Sequence, residues 1–321
     1  MEALLLNNNP TQTELSSDKP FIQANTIELS FEEIKENHII PVFHKDNEPV
    51  ISHVDFIETT EELVNEIYQG ETILRPNIRL SHPIKGRVPD ARDKPANQLS
   101  EREKTIYYER MAFVMEIPTV YDDVDGNILT LTVGGVKAYN LDNLYNKKGA
   151  DEHFKAFIGF KNTVCTNLCV WSDGFMSDLK VSTLGQLKGC IRTLIENYNA
   201  RYQMQQMNQL PNYALTEHQF ALLLGRCRMY NHLPNQMRNE IPPILLGDSQ
   251  LGIVCKDYYR DDSFCKDADG NINLWRLYNL LTGANKSTYI DNFLDRSVNA
   301  YHFVEKLKYA LRDSQSNWYL S

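Results

Sequence analysis

Behind Ser52 the apolar residues Val54, Ile57, Val64 and Ile67 recur at helical spacing, which predicts a helix near 53–69. Just ahead of it, "SFEEIKEN" sets Ser30 three residues before Glu33, the capping-box signature of a short helix. "HIIPVFHKDNEPVIS" reads as an extended pair around "KDNEP". From about 72 to 172 the pattern shortens to strands: "TILRPNIRLSHPI", "TIYYERMAFVMEIP", "ILTLTVGGVKAYN" and "KAFIGFKNTVCTNLCVW" are rich in β-branched and aromatic residues. Asp125-Gly126 predicts a hairpin between the second and third of these. The glycine pair in "TVGGVKAY" predicts a bulge. Residues 153–171 read as one strand, with Cys165, Asn167, Cys169 and Trp171 on one face and the two sulfurs roughly 13 Å apart.

After residue 180 the helical period returns. Leu184, Leu187, Ile191, Leu194, Ile195 and Tyr198 form one stripe, and Thr216 with Gln219 makes another capping box. Further helices are expected at about 248–260, 273–283 and 288–312. The expected class is α+β, with a largely antiparallel sheet in the N-terminal half and helices in the C-terminal half. Residues 1–20 read as a flexible tail, 21–180 as the sheet region and 181–321 as a helical region packed on it.

Composition fits a globular chain: 42% hydrophobic and 10% aromatic residues over 321 positions argue against global disorder. No apolar run is long enough for a spanning helix. The opening "MEALLLNNNPTQTELSSDKP" lacks a basic region and a long apolar stretch, so a signal peptide is not expected and the cytoplasm is the expected compartment. The six cysteines show no CxxC pairing and read as reduced thiols, mostly in the core; no metal and no cofactor is expected.

The net charge of −9 hides an asymmetry. Residues 1–71 carry 15 acidic against 3 basic residues, whereas the remainder carries 27 against 30. Solvated helix faces explain this, and so does an acidic segment that shields a basic surface. Within 75–110 stand nine basic residues, among them Arg75, Arg79, Lys85, Arg87, Arg92 and Lys94, with Tyr107 and Tyr108 adjacent. The polar loop "KGRVPDARDKPANQLSEREK" lies among them. A second set comprises Arg226, Arg228, Tyr230, His232 and Arg238. Guanidinium groups beside stacking rings suit a single-strand groove, though a solvated strand edge gives the same composition.

Other chemistry is sparse. "DVDGNI" and "DADGNI" open like calcium loops but carry isoleucine where the sixth-position glycine belongs, so Asp-Gly turns explain them. Phosphate loops, a GxSxG elbow and HExxH are missing. Asp90, Glu116 and Asp178 are the acids that a metal-dependent nuclease or nucleotide hydrolase would use. "TGANKSTYIDNFLDR" reads either as a helix start capped by Asn285 and Ser287 or as a polar patch for an anion.

Several stretches resemble domain of unknown function family 3871: "KPFIQANT", "IIPVFHKDNEPVISHVDFIET", "RLSHPIKGRVPDA", "KTIYYERMAFVMEIPTVYDD", "VGGVKAYN", "FIGFKNTVCTNLC" and "LWRLYNLLTGANKSTYIDNFLDRSVNA". The likeness spans about 20 to 300. A fainter one links Val164-Cys165-x-Asn167 and the Trp275, Asn279, Thr282 spacing to the phage/plasmid-like family 932, from which the chain departs at "GANKSTYIDNF". These resemblances imply a setting on phage-like, plasmid or conjugative elements and transfer no catalytic residue. The motif residues Cys165, Asn167, Trp275, Asn279 and Thr282 are therefore expected to be structural, with Asn167 tying a strand to the helical half.

The expected function is a non-enzymatic accessory protein binding nucleic acid, single strands included, or a nucleoprotein partner, without a membrane. An enzyme using the acids above is the alternative. A module docking through the acidic N-terminal segment is the third reading. The sequence leaves the oligomeric state open.

Overall fold

The computed structural model describes residues 19–38, 51–81, 84–87, 89–91, 94–138 and 151–321, with backbone alone for 84–87, 89, 96, 101 and 104–108. Most of the expected tail and of the extended pair around "KDNEP" thus lies outside the described residues. Strand β1 (Thr26–Leu29) and helices α1 (Phe31–Asn37) and α2 (His53–Ile67) come first. They are followed by β2 (Asn77–Ser81), β3 (Ile84–Arg87), β4 (Lys104–Tyr108), β5 (Arg110–Val124), β6 (Asn127–Ala138), β7 (Glu152–Asn162) and β8 (Leu168–Val181). Six of these strands form one sheet in the order β1-β2-β5-β6-β7-β8, antiparallel throughout. The chain is α+β.

Local signals act where they were read. Ser30 and Ser52 each cap a helix, accepting the N–H of Glu33 and Asp55 and donating their own N–H back to those carboxylates. The β5–β6 hairpin closes at Asp125 and Gly126, both at positive φ (53° and 76°), as a tight turn between right-twisted strands requires.

The helical half holds α3 (Leu184–Asn197), α4 (Ala200–Met207), α5 (Glu217–Tyr230), α6 (Asn235–Arg238), α7 (Asp248–Arg260), α8 (Leu274–Asn285) and α9 (Ile290–Arg312). Two-residue strands 214–215 and 272–273 pair between them.

Alternation splits the sheet into two covered faces. One carries Met111, Phe113 and Met115 of β5, Leu131 and Val133 of β6, Phe154, Ile158 and Phe160 of β7, and Cys169 and Trp171 of β8. It joins the main core with α2, α3 and most of the helical half. The other carries Ala112, Val114, Val136, Phe157, Leu168 and Val170, packed under Phe21, Ile22 and the first turn of α9 (Ile290, Phe293, Leu294). Helix α9 serves both cores, since Tyr301 further along it meets Trp171 edge-on at 5.3 Å and Tyr278 at 6.1 Å.

Three expectations are corrected. Gly134 and Gly135 sit in regular register opposite Val114 and Phe113, with no bulge. A Cβ on Gly135 would stand 2.4 Å from the Phe56 ring, so the glycine exists to let α2 lie close on the sheet. The register shift falls instead between Ile117 and Tyr121.

Residues 153–171 are not one strand. The chain reverses at 163–167 between β7 and β8, so Phe160 stands opposite Cys169. Asn162 starts the reversal: its Oδ1 accepts the Val164 N–H at 2.9 Å, and Thr166 adopts φ +57°.

Finally, α9 is capped by Tyr289 with no side-chain bond, and not by Asn285 or Ser287. Asn285 is buried and donates to the Phe293 carbonyl at 2.8 Å.

Candidate functional site

The basic residues divide into three fates. Arg75 is exposed. Arg79, 9% exposed, lies along β2 and donates to Thr26 Oγ1 at 3.2 Å and to the Thr26 carbonyl at 3.0 Å, with Glu28 at 3.4 Å; it fastens β1 to β2. Lys94 pairs with Glu103. Lys85 and Arg87 are placed by backbone only, and Arg92 lies outside the described residues.

Of the second set, Arg226, Arg228 and Tyr230 are on α5, His232 follows it and Arg238 ends α6. Arg226 donates to the Ser321 carbonyl at 3.0 Å and covers the Trp318 ring at 4.9 Å, while Arg228 stands 3.4 Å from Asp248. Tyr230 is 5% exposed and packs toward Tyr319, so it is a core ring and offers no stacking face. Arg79 and Tyr230, both buried, therefore belong to no exposed binding surface.

What the fold does bring together is a β-arm. Strands β2 and β5 pair up to Leu80 and Met111, and the same two chains pair again as β3 and β4 in a two-stranded sheet of their own. Pairing of β5 with β6 ends at Arg110 and Ala138. The register sets Lys85 opposite Tyr107 and Arg87 opposite Lys104, with an irregularity between Lys85 and Gly86. Residues 84–108 hold six basic and four acidic residues.

The acids of the enzyme reading are not collected. Asp90 is exposed on a 3-10 turn, Glu116 is buried in β5 against Lys161 and Thr130, and Asp178 is exposed in β8 beside Lys180 and His153. Glu116 and Asp178 stand on strands three places apart, at least about 14 Å. Among the described residues no group of three or more His, Cys, Asp or Glu is arranged to hold a metal ion. Asp267, in the second calcium-like turn, spends its Oδ1 on the backbone N–H groups of Asp269 (3.0 Å) and Asn271 (2.7 Å).

Two buried polar clusters flank the sheet. At the β7–β8 turn the motif residues meet. Asn167 Nδ2 donates to the Asn279 carbonyl at 2.9 Å, Asn162 Nδ2 to Asn279 Oδ1 at 3.2 Å, and the Cys165 thiol to the same oxygen at 3.7 Å. Asn279 in turn donates to the Trp275 carbonyl at 3.0 Å, and Thr282 to the Tyr278 carbonyl at 2.9 Å. Lys286 reaches over the turn to the Cys165 carbonyl and, at 2.7 Å, to the Thr166 hydroxyl, which itself donates to the Pro20 carbonyl.

Burial brings the Lys286 ammonium down to about 8 and pushes the Cys165 thiol up to about 11; Cys169, fully buried, is raised further. Neither thiol has the lowered pKa of an activated nucleophile. The cluster joins three chain segments, at Pro20, at 162–167 and at 279–286.

The second cluster went unnoticed in the sequence. Glu109, 2% exposed, accepts from His38 Nδ1 at 2.9 Å and lies 4.0 Å from His53 Nε2. Lys137, fully buried, pairs with Glu152 at 2.6 Å and sits 4.0 Å from the centre of the Phe154 ring. The other oxygen of Glu152 accepts the Ile51 N–H at 2.7 Å. The available signal was His53 on the same helical stripe as Phe56, Ile57, Leu63 and Val64, where a polar residue demands a buried partner.

No described helix is long and apolar enough to cross a membrane. No curated protein and no solved structure matches the chain. A family model described as "Domain of unknown function, B. Theta Gene description" matches residues 5–320, nearly the whole chain. The chain belongs to that family, domain of unknown function family 3871.

Proposed function

We propose that this chain is a non-enzymatic accessory protein of a phage-like, plasmid or conjugative element, acting in the cytoplasm by binding single-stranded nucleic acid, or a nucleoprotein carrying it, through the β-arm. The observation that supports this is the register of β3 and β4, which sets Lys85, Arg87 and Lys104 with Tyr107 on one two-stranded ribbon. Cations neutralise backbone phosphates, and rings stack on bases without regard to sequence. The likeness of Val164-Cys165-x-Asn167 and of Trp275, Asn279 and Thr282 to family 932 belongs to the same proposal. A role in holding or annealing single strands follows by analogy of strands backed by helices.

The test is binding of a labelled single-stranded DNA over a salt series, with the full chain and with Lys85, Arg87 and Lys104 all changed to Ala. Binding should weaken with salt, and the triple variant should flatten the log–log slope by about 2, given roughly 0.7 per phosphate contact. Absence of binding at low salt, or a slope unchanged in the variant, removes the proposal.

A further inference from the structure

We propose that His38, His53 and Glu109, with Lys137 and Glu152 beside them, form a proton-operated clasp that fastens α1 and α2 to the end of the sheet where the arm begins. Glu109 is the single residue between β4, the arm's returning strand, and β5 of the sheet. Its carboxylate faces His38, at the C-cap of α1, and His53, the first residue of α2. Glu152 holds the same junction from β7, because it accepts the backbone N–H of Ile51, one residue before the Ser52 cap. Among the described residues, the charged groups that face the junction are His38 from α1, His53 and the capping Asp55 from α2, Glu109 before β5, Lys137 from β6 and Glu152 from β7.

The clasp is closed while His53 is neutral. Burial, then Lys137, then His38 hold its imidazole well below the usual 6.5. A proton taken up there adds a second cation near Lys137, at the positive end of a helix dipole. One carboxylate then faces two imidazoles. Opening α2 at its N-terminus relieves this, and the same motion frees Glu109 and the base of the arm. The sign follows from the lowered value: the closed state is fully favoured above 6.5 and is disfavoured progressively as pH falls, by up to tenfold in the opening constant per pH unit. None of this depends on the arm binding nucleic acid.

The experiment is hydrogen exchange of the full chain at pH 7.5 and 5.5, corrected for the intrinsic rate of amide exchange, in wild type and in His53→Gln. Peptides covering 51–60 and 104–112 should open together at the lower pH, by up to about tenfold, while the β7–β8 turn stays protected. His53→Gln should remove the pH dependence at both places. Protection unchanged between the two pH values, or an equal pH effect in His53→Gln, overturns the clasp. Should that variant not fold, NMR titration of the wild-type imidazoles decides: His53 must titrate in the interval where the two segments open. A His53 titration that leaves their protection unaltered overturns it.

Discussion

Strand β7 begins at Glu152 and ends at Asn162, about 33 Å along the sheet, and its two ends are held by opposite chemistries. At Glu152 the groups are ionisable: two histidines, two carboxylates and a lysine. At Asn162 they are mainly carboxamides and a hydroxyl, joined by the Cys165 thiol and the Lys286 ammonium. Both ends are buried, and at each the polar side chains are held mainly by one another and by backbone groups. The ionic end responds to protons in the acid range, whereas carboxamides keep their hydrogen bonds at any pH where the chain is folded. A structure that must stay joined is tied with amides; one that must let go is tied with groups that titrate.

Four measurements break or sharpen this contrast, all by urea unfolding. The largest effect belongs to Glu152→Ala, which takes away the carboxylate beside the fully buried Lys137; a loss of about 3–5 kcal/mol is expected. Asn279→Ala removes the hub of the amide end and should cost about 2–3 kcal/mol, with no change in slope between pH 5 and 7. Third is Lys286: since burial lowers its value to about 8, the unfolded chain binds the extra proton between 8 and 10.5. Wild type should therefore gain stability relative to Lys286→Met as pH rises through that window, by no more than about 1.4 kcal/mol per unit. A gain on going down in pH would contradict the assignment. Smallest is Lys188→Ala, which breaks an exposed 3.1 Å pair with Glu62 and should cost less than about 0.5 kcal/mol.

Much of the architecture was legible because its causes are local. Capping boxes at Ser30 and Thr216, the Asp125-Gly126 turn and the stripe on α3 need only near neighbours. The turn at 163–167 was not, because Val, Thr and Cys favour strands and nothing there announces a reversal. Its conformation is imposed by Lys286 from 120 residues away. Likewise a count of cations treats Arg79 and Arg75 alike, yet strand pairing folds one inward against Thr26 and leaves the other in water. The ionic cluster combines residues from 38 to 152 that only the sheet register brings together.

Thr166 carries a kinetic consequence. A β-branched residue at φ +57° is unfavourable on its own, so the β7–β8 reversal gains little from local forces. The groups that compensate, the Lys286 ammonium and the Pro20 carbonyl, come from opposite ends of the chain. The turn is therefore expected to be secured only once the segment after α8 has docked. Substitutions at Lys286 should speed unfolding and leave the folding rate nearly unchanged, which places this hairpin on the late side of the transition state.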